Sequence, residues 1–333
     1  MEKTPVIILT GFLGAGKTTV LNQLLRHSNG KRIGVVVNDF GDVNIDALLV
    51  GKQTSDSVEL SGGCICCEMS EGGLDDTLDS FVHPGSMLDA VVIEASGIAE
   101  PSDVKKLVLY SRNKNIELGG VVYVVDTVNI ENLTKKHPEI INHIAAADLI
   151  VLTKTDIATK TQVEKARALC REHNAQATVI EADNGAIPPE LFFDTAQSTG
   201  EQMNLAQLHD TDHQHHLHEN FNSISFTTEK PLDPQKFEKF LKQLPAHIYR
   251  VKGIVYYGLK GFEQKFIIHA VGAHHTITTE EWHGWETPSS TIVAIGVDCD
   301  EDLIRKQLEN CIDTSPDDVH AGTMVDILRY KGL

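Results

Sequence analysis

The chain lacks several features that mark membrane-bound or nucleic-acid-binding proteins. No apolar stretch approaches the roughly 20 residues that a membrane-spanning helix needs. The first apolar run, Val6–Leu9, is too short for a signal peptide and leads directly into a glycine loop. Basic residues are scarce, with 29 Lys and Arg against 47 Asp and Glu and a formal net charge of −18. Because such a surface repels nucleic acid and anionic lipid, we expect a cytoplasmic protein that binds neither nucleic acid nor membrane.

Cysteine is also sparse, with six residues in 333, which argues against a disulfide framework. Three of the six, Cys64, Cys66 and Cys67, follow directly after Gly62 and Gly63. Three neighbouring thiolates can supply three ligands of a tetrahedral soft-metal site, and the fourth ligand would come from another side chain or a partner. Inert buried cysteines or a redox pair are the alternatives, but inert cysteines rarely cluster beside glycines. The cluster therefore predicts a metal site, with zinc favoured and copper(I) or cobalt also compatible.

The first part of the chain alternates short apolar runs with helical stretches such as Thr18–Arg26 and Lys160–Glu172. The runs are almost continuously hydrophobic, as strands buried on both faces of a parallel sheet are. They are Val6–Leu9, Ile33–Val37, Leu88–Ile93, Gly120–Val125 and Asp148–Leu152. This pattern predicts an α/β domain over residues 1–185 with a mostly parallel, doubly wound sheet, which the phosphate loop described below makes a P-loop NTPase domain. Its ligands are expected at the carboxyl ends of the strands.

A different pattern follows the α/β segment. Residues 186–220 show no sustained period and are interpreted as a linker. Residues 221–333 predict a small α+β domain. Its predicted strands and helices are Ser223–Thr227, Pro234–Gln243, Tyr249–Tyr257, Lys265–Val271, Thr291–Val297 and Glu301–Asn310.

The strongest motif is a phosphate loop that directly follows the first predicted strand and precedes a helix. It reads Gly11-Phe12-Leu13-Gly14-Ala15-Gly16-Lys17-Thr18 and continues into Thr19. The glycines allow backbone N–H groups to converge on phosphate oxygens at the positive end of the helix. Lys17 is expected to bridge the β- and γ-phosphates, and the Thr18 hydroxyl is expected to ligate Mg²⁺.

Acidic residues follow two further predicted strands. Glu94 ends the run Leu88–Ile93 and is expected to hold Mg²⁺ through water or to orient the attacking water, while Gly97 can offer its N–H to the γ-phosphate. Asp39 follows the second strand, in the natural position of a first switch, where it can reach Mg²⁺. These assignments depend on the phosphate loop, because an isolated carboxylate at a strand end is more often only solvated.

The end of another buried strand indicates which base is bound. Thr153-Lys154-Thr155-Asp156 places a carboxylate where it can accept both N1–H and the exocyclic N2 amino group of guanine, two donors that adenine does not present together. The Lys154 stem can lie along the base. The more usual first residue of this motif is Asn, so Thr153 is expected to weaken one supporting hydrogen bond. We predict GTP as the substrate.

Taken in order, these motifs resemble the CobW-type family of P-loop GTPases, a group of metallochaperones whose relatives serve nickel enzymes and cobalamin metabolism. The similar segments are the phosphate loop, Asn38-Asp39-Phe40-Gly41, Gly63-Cys64-Ile65-Cys66-Cys67, Glu94-Ala95-Ser96-Gly97, Thr153-Lys154-Thr155-Asp156, Arg250-Val251-Lys252-Gly253 and Ile295-Gly296. The resemblance implies slow intrinsic GTP hydrolysis, metal binding at the cysteines and a metal-receiving client that contacts the second domain. Asp39, where the family often has Glu, and Thr153 depart from the pattern.

Histidines are concentrated just before the second predicted domain. They are His209, His213, His215, His216 and His218. Neutral imidazoles bind zinc, nickel and copper, so the last four are candidate accessory metal ligands. A linker without a selected role is the alternative.

The interleaving of phosphate and cysteine motifs along the chain leads to one mechanistic hypothesis. GTP and Mg²⁺ would order the switches, and the cysteine segment between them would change its metal affinity with the nucleotide state. A P-loop kinase acting on a small molecule and a non-catalytic zinc buffer are the alternatives. The sequence leaves the client protein unidentified and self-association open.

Overall fold

The structure is a computed structural model that describes residues 3–28, 31–37, 58–59, 73–86, 88–97, 99–192, 221–272, 274–313 and 321–330. The chain divides into two compact units. One comprises Met1–Ala175 with Val179–Glu219, and the other comprises Gln176–Thr178 with Asn220–Leu333. Each unit contains its own cluster of buried apolar side chains.

The first unit is built around a sheet with seven strands among the described residues. The strands are β1 (Thr4–Gly11), β2 (Ile33–Val37), β3 (Val58–Glu59), β4 (Ala90–Glu94), β5 (Ile116–Asp126), β6 (Leu149–Thr153) and β7 (Thr178–Glu181). The α-helices described in this unit are α1 (Lys17–Arg26), α2 (Gly73–Phe81), α3 (Pro101–Leu109), α4 (Ile130–Lys136), α5 (Glu139–Ala145) and α6 (Lys160–His173).

The strand order of this sheet is β3-β2-β4-β1-β5-β6-β7, and every pairing from β3 through β6 is parallel. The carboxyl ends of these strands therefore lie along one edge. The register places Leu9 beside Glu94, Gly11 beside Val124, and Asp126 beside Thr153. The predicted α/β P-loop fold is confirmed, and those candidate nucleotide-site residues that the structure describes gather at the edge where ligands bind in such sheets.

Burial explains why these segments become strands and helices. All five residues of β2, β4 and β6 are buried, as expected for central strands covered on both faces. On α1, Val20, Leu21, Leu24 and Leu25 form the buried stripe at helical spacing. Helix α6 begins with a capping box, in which Thr159 and Gln162 satisfy each other's backbone N–H groups.

The second unit contains a five-stranded sheet among the described residues. Its strands are β8 (Phe221–Thr228), β9 (Ile248–Val255), β10 (Lys265–Val271), β11 (His274–Glu280) and β12 (Ser290–Val297). They run in the order β11-β10-β9-β12-β8, and every neighbouring pair is antiparallel. The helices are α7 (Pro234–Lys242), α8 (Glu301–Glu309) and α9 (Met324–Leu328). Their apolar residues share one core with the sheet, which confirms the predicted α+β fold of this part.

The structured part of the first unit continues past residue 185. Ile187 is buried, and a 3-10 helix at Pro189–Leu191 buries Leu191 and the following Phe192. Ile187, Leu191 and Phe192, at the start of the segment interpreted as a linker, therefore contribute side chains to the packed unit. The rest of that segment lies outside the described residues.

Candidate nucleotide site

The phosphate loop connects the end of β1 to the start of α1 at the carboxyl edge of the sheet. Gly16 is the N-cap of α1 and has a left-handed backbone, with φ 97° and ψ 24°, a conformation that glycine adopts at little cost. The first turn of α1 begins at Lys17 and has no acidic side chain. The positive end of the helix therefore favours an anion at this position.

Two polar contacts connect the loop to its neighbours. The Lys17 Nζ donates to the carbonyl oxygen of Gly11 at 3.1 Å, so the lysine side chain crosses back over the loop. The Thr18 hydroxyl donates to Glu94 Oε1 at 2.8 Å, and Glu94 is only 3% exposed. A hydroxyl and a carboxylate are the oxygen donors that Mg²⁺ prefers. These two side chains therefore fit the predicted magnesium site.

Gly97 allows the segment after β4 to approach the phosphate loop closely. A Cβ atom at this position would lie 2.8 Å from the backbone nitrogen of Leu13 and 3.0 Å from its Cα. Any larger residue would have to displace backbone, so glycine is required here. The structure thus brings Gly97 and the phosphate loop together, as the sequence predicts.

Thr153 connects the end of β6 to the phosphate loop. Its side chain is buried, and its Oγ1 lies 2.6 Å from the carbonyl oxygen of Ala15 and 3.0 Å from that of Val125. The hydroxyl therefore has an acceptor on either the loop or the neighbouring strand. Although threonine replaces the more usual asparagine, a hydrogen bond to the loop is retained.

Replacing Thr153 by valine should measure the contribution of this hydrogen bond, because valine preserves the packing of the side chain. The variant keeps the volume but leaves two buried carbonyl oxygens without the hydroxyl, so we expect a loss of about 1–3 kcal/mol in the free energy of unfolding. The KM for GTP should rise by roughly 3–10-fold because the loop is less firmly held. Urea unfolding and steady-state kinetics would measure both effects. Thr153→Ser is the matched control, and identical behaviour of the valine and serine variants would contradict the assigned role.

The segment predicted to bind the base follows Thr153. Asp156 is exposed, so its carboxylate is open to a ligand. Lys154 has a left-handed backbone, with φ 59°, and its Nζ lies 2.7 Å from Asp126 Oδ2. Lys154 and Asp156 thus lie at the same sheet edge as the phosphate loop.

Two features at the carboxyl edge of the sheet were not predicted from the sequence. Asp126 ends β5 and pairs with Lys154. The turn after β7 also lies against α1, because the Gln23 side chain donates to the carbonyl oxygen of Asn184, and a Cβ on Gly185 would lie 2.9 Å from Thr19 Cγ2. A signal for Asp126 was available, since it directly follows the apolar run Gly120–Val125, as Glu94 follows its own strand.

Several predicted ligands lie outside the described residues. They are Asp39, Cys64, Cys66, Cys67, His213, His215, His216 and His218. Within the described ranges, no group of three or more His, Cys, Asp or Glu side chains is placed to hold a metal ion.

Among the helices that the structure describes, none has the length and apolar character to cross a bilayer.

Comparison with protein families identifies both parts of the chain. Residues 5–181 match the model for the CobW/HypB/UreG nucleotide-binding domain, and residues 221–312 match the model for the C-terminal domain of the cobalamin synthesis protein CobW. The chain belongs to the CobW/HypB/UreG family. This membership confirms the resemblance found in the motifs and the prediction of a P-loop GTPase.

Relatives of this CobW-family chain extend over almost its full length. The zinc chaperone YjiA of Escherichia coli is 30% identical over 92% of this chain and 98% of the relative. The zinc chaperone CobW of Sinorhizobium sp is 29% identical over 91% of this chain and 96% of the relative. Among solved structures, Zn(II)-bound YjiA GTPase from E. coli is 24% identical, with a TM-score of 0.44, and the match covers 94% of this chain and all of that one.

Proposed function

We propose that this CobW-family GTPase binds zinc at Cys64, Cys66 and Cys67 and delivers it to a client protein under the control of GTP hydrolysis. Clustered reduced thiols suit the cytoplasm, where we place this activity. The relatives named zinc chaperones support zinc as the cargo, and three thiolates suit zinc better than a hard cation.

One structural observation carries the proposed coupling between the two sites. The short strand β3 is parallel to β2 and separated from β4 only by β2, so its carboxyl end lies at the edge that holds Glu94. Neighbouring strands lie about 4.8 Å apart, so β3 and β4 are about 10 Å apart across the sheet. Cys64 is only five residues beyond Glu59, a stretch that spans at most about 18 Å. This upper bound is compatible with coupling between the proposed zinc site and the nucleotide edge.

For hydrolysis, we assign each contact at this edge a role. Lys17 holds the β- and γ-phosphates of GTP, and Gly97 offers its N–H to the γ-phosphate. Thr18 and Glu94 would hold Mg²⁺, which neutralises phosphate charge when bound. Glu94 also orients the attacking water. Asp156 accepts hydrogen bonds from guanine.

Zinc affinity measured in three nucleotide states tests the coupling. The untagged protein would compete with a chromophoric chelator for zinc in the presence of a non-hydrolysable GTP analogue, of GDP, and of no nucleotide. We expect the dissociation constants with analogue and with GDP to differ by about 5–150-fold, the usual range of coupling between two sites. Because coupling is reciprocal, zinc should change the affinity for the analogue relative to GDP by the same factor.

The controls separate this function from its alternatives. A variant with Cys64, Cys66 and Cys67 replaced by serine should lose the nucleotide-dependent difference. Equal zinc affinities in all three states would remove the coupling and leave a zinc-binding protein in which GTP acts separately. Transfer of the γ-phosphate to an acceptor other than water would instead favour a kinase.

A further inference from the structure

Asp126 is a buried carboxylate of the candidate nucleotide site that accepts hydrogen bonds at both of its oxygens. It ends β5, and its side chain is 7% exposed. Its Oδ1 accepts the backbone N–H groups of Val128 at 3.0 Å and Asn129 at 3.1 Å. Its Oδ2 accepts the Asn129 amide at 2.9 Å and the Lys154 ammonium at 2.7 Å. Four donors thus fix both oxygens of one carboxylate at the edge where GTP is expected.

The charge of this group is maintained despite its burial. Burial acts to raise the pKa of Asp126, but hydrogen bonds from Asn129 and Lys154 outweigh it and lower the pKa. Asp126 is therefore an anion at neutral pH. Within the pair, it is the fixed member, because its other three donors come from the turn that directly follows it.

Lys154 is the member of the pair that needs support. Its left-handed backbone is one that a residue with a side chain keeps only where its surroundings impose it. Its side chain is 36% exposed, so without a partner its ammonium would turn towards water. Asp126 and Thr153 are partners in the parallel register, so the ion pair closes over the ends of β5 and β6.

We propose that Asp126 is a positioning residue for base recognition, which acts by anchoring the Lys154 ammonium at the end of β5. With the ammonium held, the aliphatic stem of Lys154 becomes a fixed surface for the base, and the backbone leading to Asp156 keeps its conformation. Asp126 touches Lys154 and not the nucleotide. This inference rests on the proposed placement of guanine at Asp156.

A residue that supports base recognition affects the binding of GTP and leaves the chemical step of hydrolysis unaltered. The base is remote from the γ-phosphate, so an interaction with it stabilises substrate, transition state and product equally. Loss of that interaction raises KM while kcat stays nearly constant. It should also weaken GTP more than ATP, because recognition of guanine by Asp156 depends on the conformation of this turn.

The first test is Asp126→Asn, which keeps the size of the side chain and removes its charge. We expect the KM for GTP and the dissociation constant for GDP to rise by roughly 10–100-fold, as for a charged hydrogen bond, with kcat within about threefold of the wild type. The preference for GTP over ATP should fall by a similar factor. A fall in kcat with an unchanged preference would show a general structural role and overturn the proposal.

A double-mutant cycle tests whether Asp126 acts through Lys154. Lys154→Met keeps the aliphatic stem but removes the ammonium. If Asp126 acts through that ammonium, the two substitutions together should raise KM little more than Asp126→Asn alone. Full additivity of the two effects would overturn the proposal.

Asp148→Asn is the matched control for loss of a buried carboxylate. Asp148 lies just before β6, at the opposite edge of the sheet, where it accepts the Val121 N–H and pairs with Lys105. Its substitution should lower the melting temperature without changing the GTP to ATP preference. An equal change of preference in both variants would contradict the inference.

Asp156→Ala separates this inference from the proposed function. If it removes the GTP preference while Asp126→Asn does not, only the role of Asp126 fails. If it leaves the preference intact, the placement of guanine itself is wrong.

Discussion

Replacing Lys17 by alanine should reduce kcat/KM for GTP by about a thousandfold, the upper range for loss of one pre-positioned charge contact. The ammonium crosses the phosphate loop, 3.1 Å from the Gly11 carbonyl oxygen, at the positive end of α1. Alanine removes the cation that offsets charge developing on the β- and γ-phosphates. A phosphate-release assay over a range of GTP concentrations would measure the loss.

Lys106→Ala is the matched control for this prediction. Lys106 is exposed and pairs with the exposed Asp103 one turn away, a type of contact that contributes little to stability. The Lys106→Ala variant should hydrolyse GTP at the wild-type rate. Wild-type kinetics in the Lys17 variant as well would show that the loop does not hold the reacting phosphates, and the hydrolytic mechanism would have to be abandoned.

The central strands of the first sheet are predicted from the sequence because burial on both faces leaves a continuous apolar run. β2 coincides with its predicted run, and β5 extends beyond it to Ile116–Asp126. β4 begins at Ala90, two residues after the predicted start. The preceding Asp89 instead accepts the Arg32 N–H and the Lys31 ammonium.

Among the residues that the structure describes, the three strands that were not predicted from the sequence are all at sheet edges. β3 and β7 are the outer strands of the first sheet, and β11 is an outer strand of the second. An edge strand packs on fewer neighbours and needs no continuous apolar run, and β3 has only two residues. The opposite edge strand, β8, was predicted, and in the structure its buried Ile224 and Phe226 alternate with exposed polar residues, as in a half-buried strand.

The candidate site was predictable where a motif follows a strand and not where distant segments meet. Lys17, Glu94 and Asp156 each belong to a local pattern, and parallel strands bring their positions to one edge. The contact of Gly185 with Thr19 depends on packing between segments 166 positions apart, and no local spacing encodes it. The hydrogen bond from the Thr153 hydroxyl to the carbonyl oxygen of Ala15 was not predictable either, because the residue type alone does not show how close the two segments lie.

Replacing Cys64, Cys66 and Cys67 together by serine should lower the affinity for zinc by more than about a thousandfold, given apparent binding energies of about 10–16 kcal/mol for complete thiolate or imidazole sites. Serine preserves the size of each side chain but supplies no thiolate at neutral pH. Competition with a chromophoric chelator would measure the change in affinity. Metal analysis of the untagged protein from cells would show whether zinc is lost there too.

Two further variants locate the metal if this result is not obtained. Cys299→Ser removes a half-buried thiol next to the carbonyl oxygen of His247 in the second unit, and it should leave zinc binding unchanged. Replacement of the four candidate histidines by asparagine tests the accessory site. They are His213, His215, His216 and His218. Loss of tight zinc binding in the histidine variant, with retention in the cysteine variant, would move the site to the histidines.

The effect of zinc on GTP hydrolysis decides whether the cysteines only store metal. If the thiol cluster and the phosphate site share the carboxyl edge of one sheet, zinc should change the rate of hydrolysis in the wild type and not in the cysteine variant. The Lys17 variant should conversely bind zinc with an affinity that no longer responds to GTP. A wild-type rate that is the same with and without zinc would mean that the metal does not regulate hydrolysis. Because reciprocity holds for binding and not for rates, the coupling itself is judged from the relative affinities for the GTP analogue and GDP, measured with and without zinc.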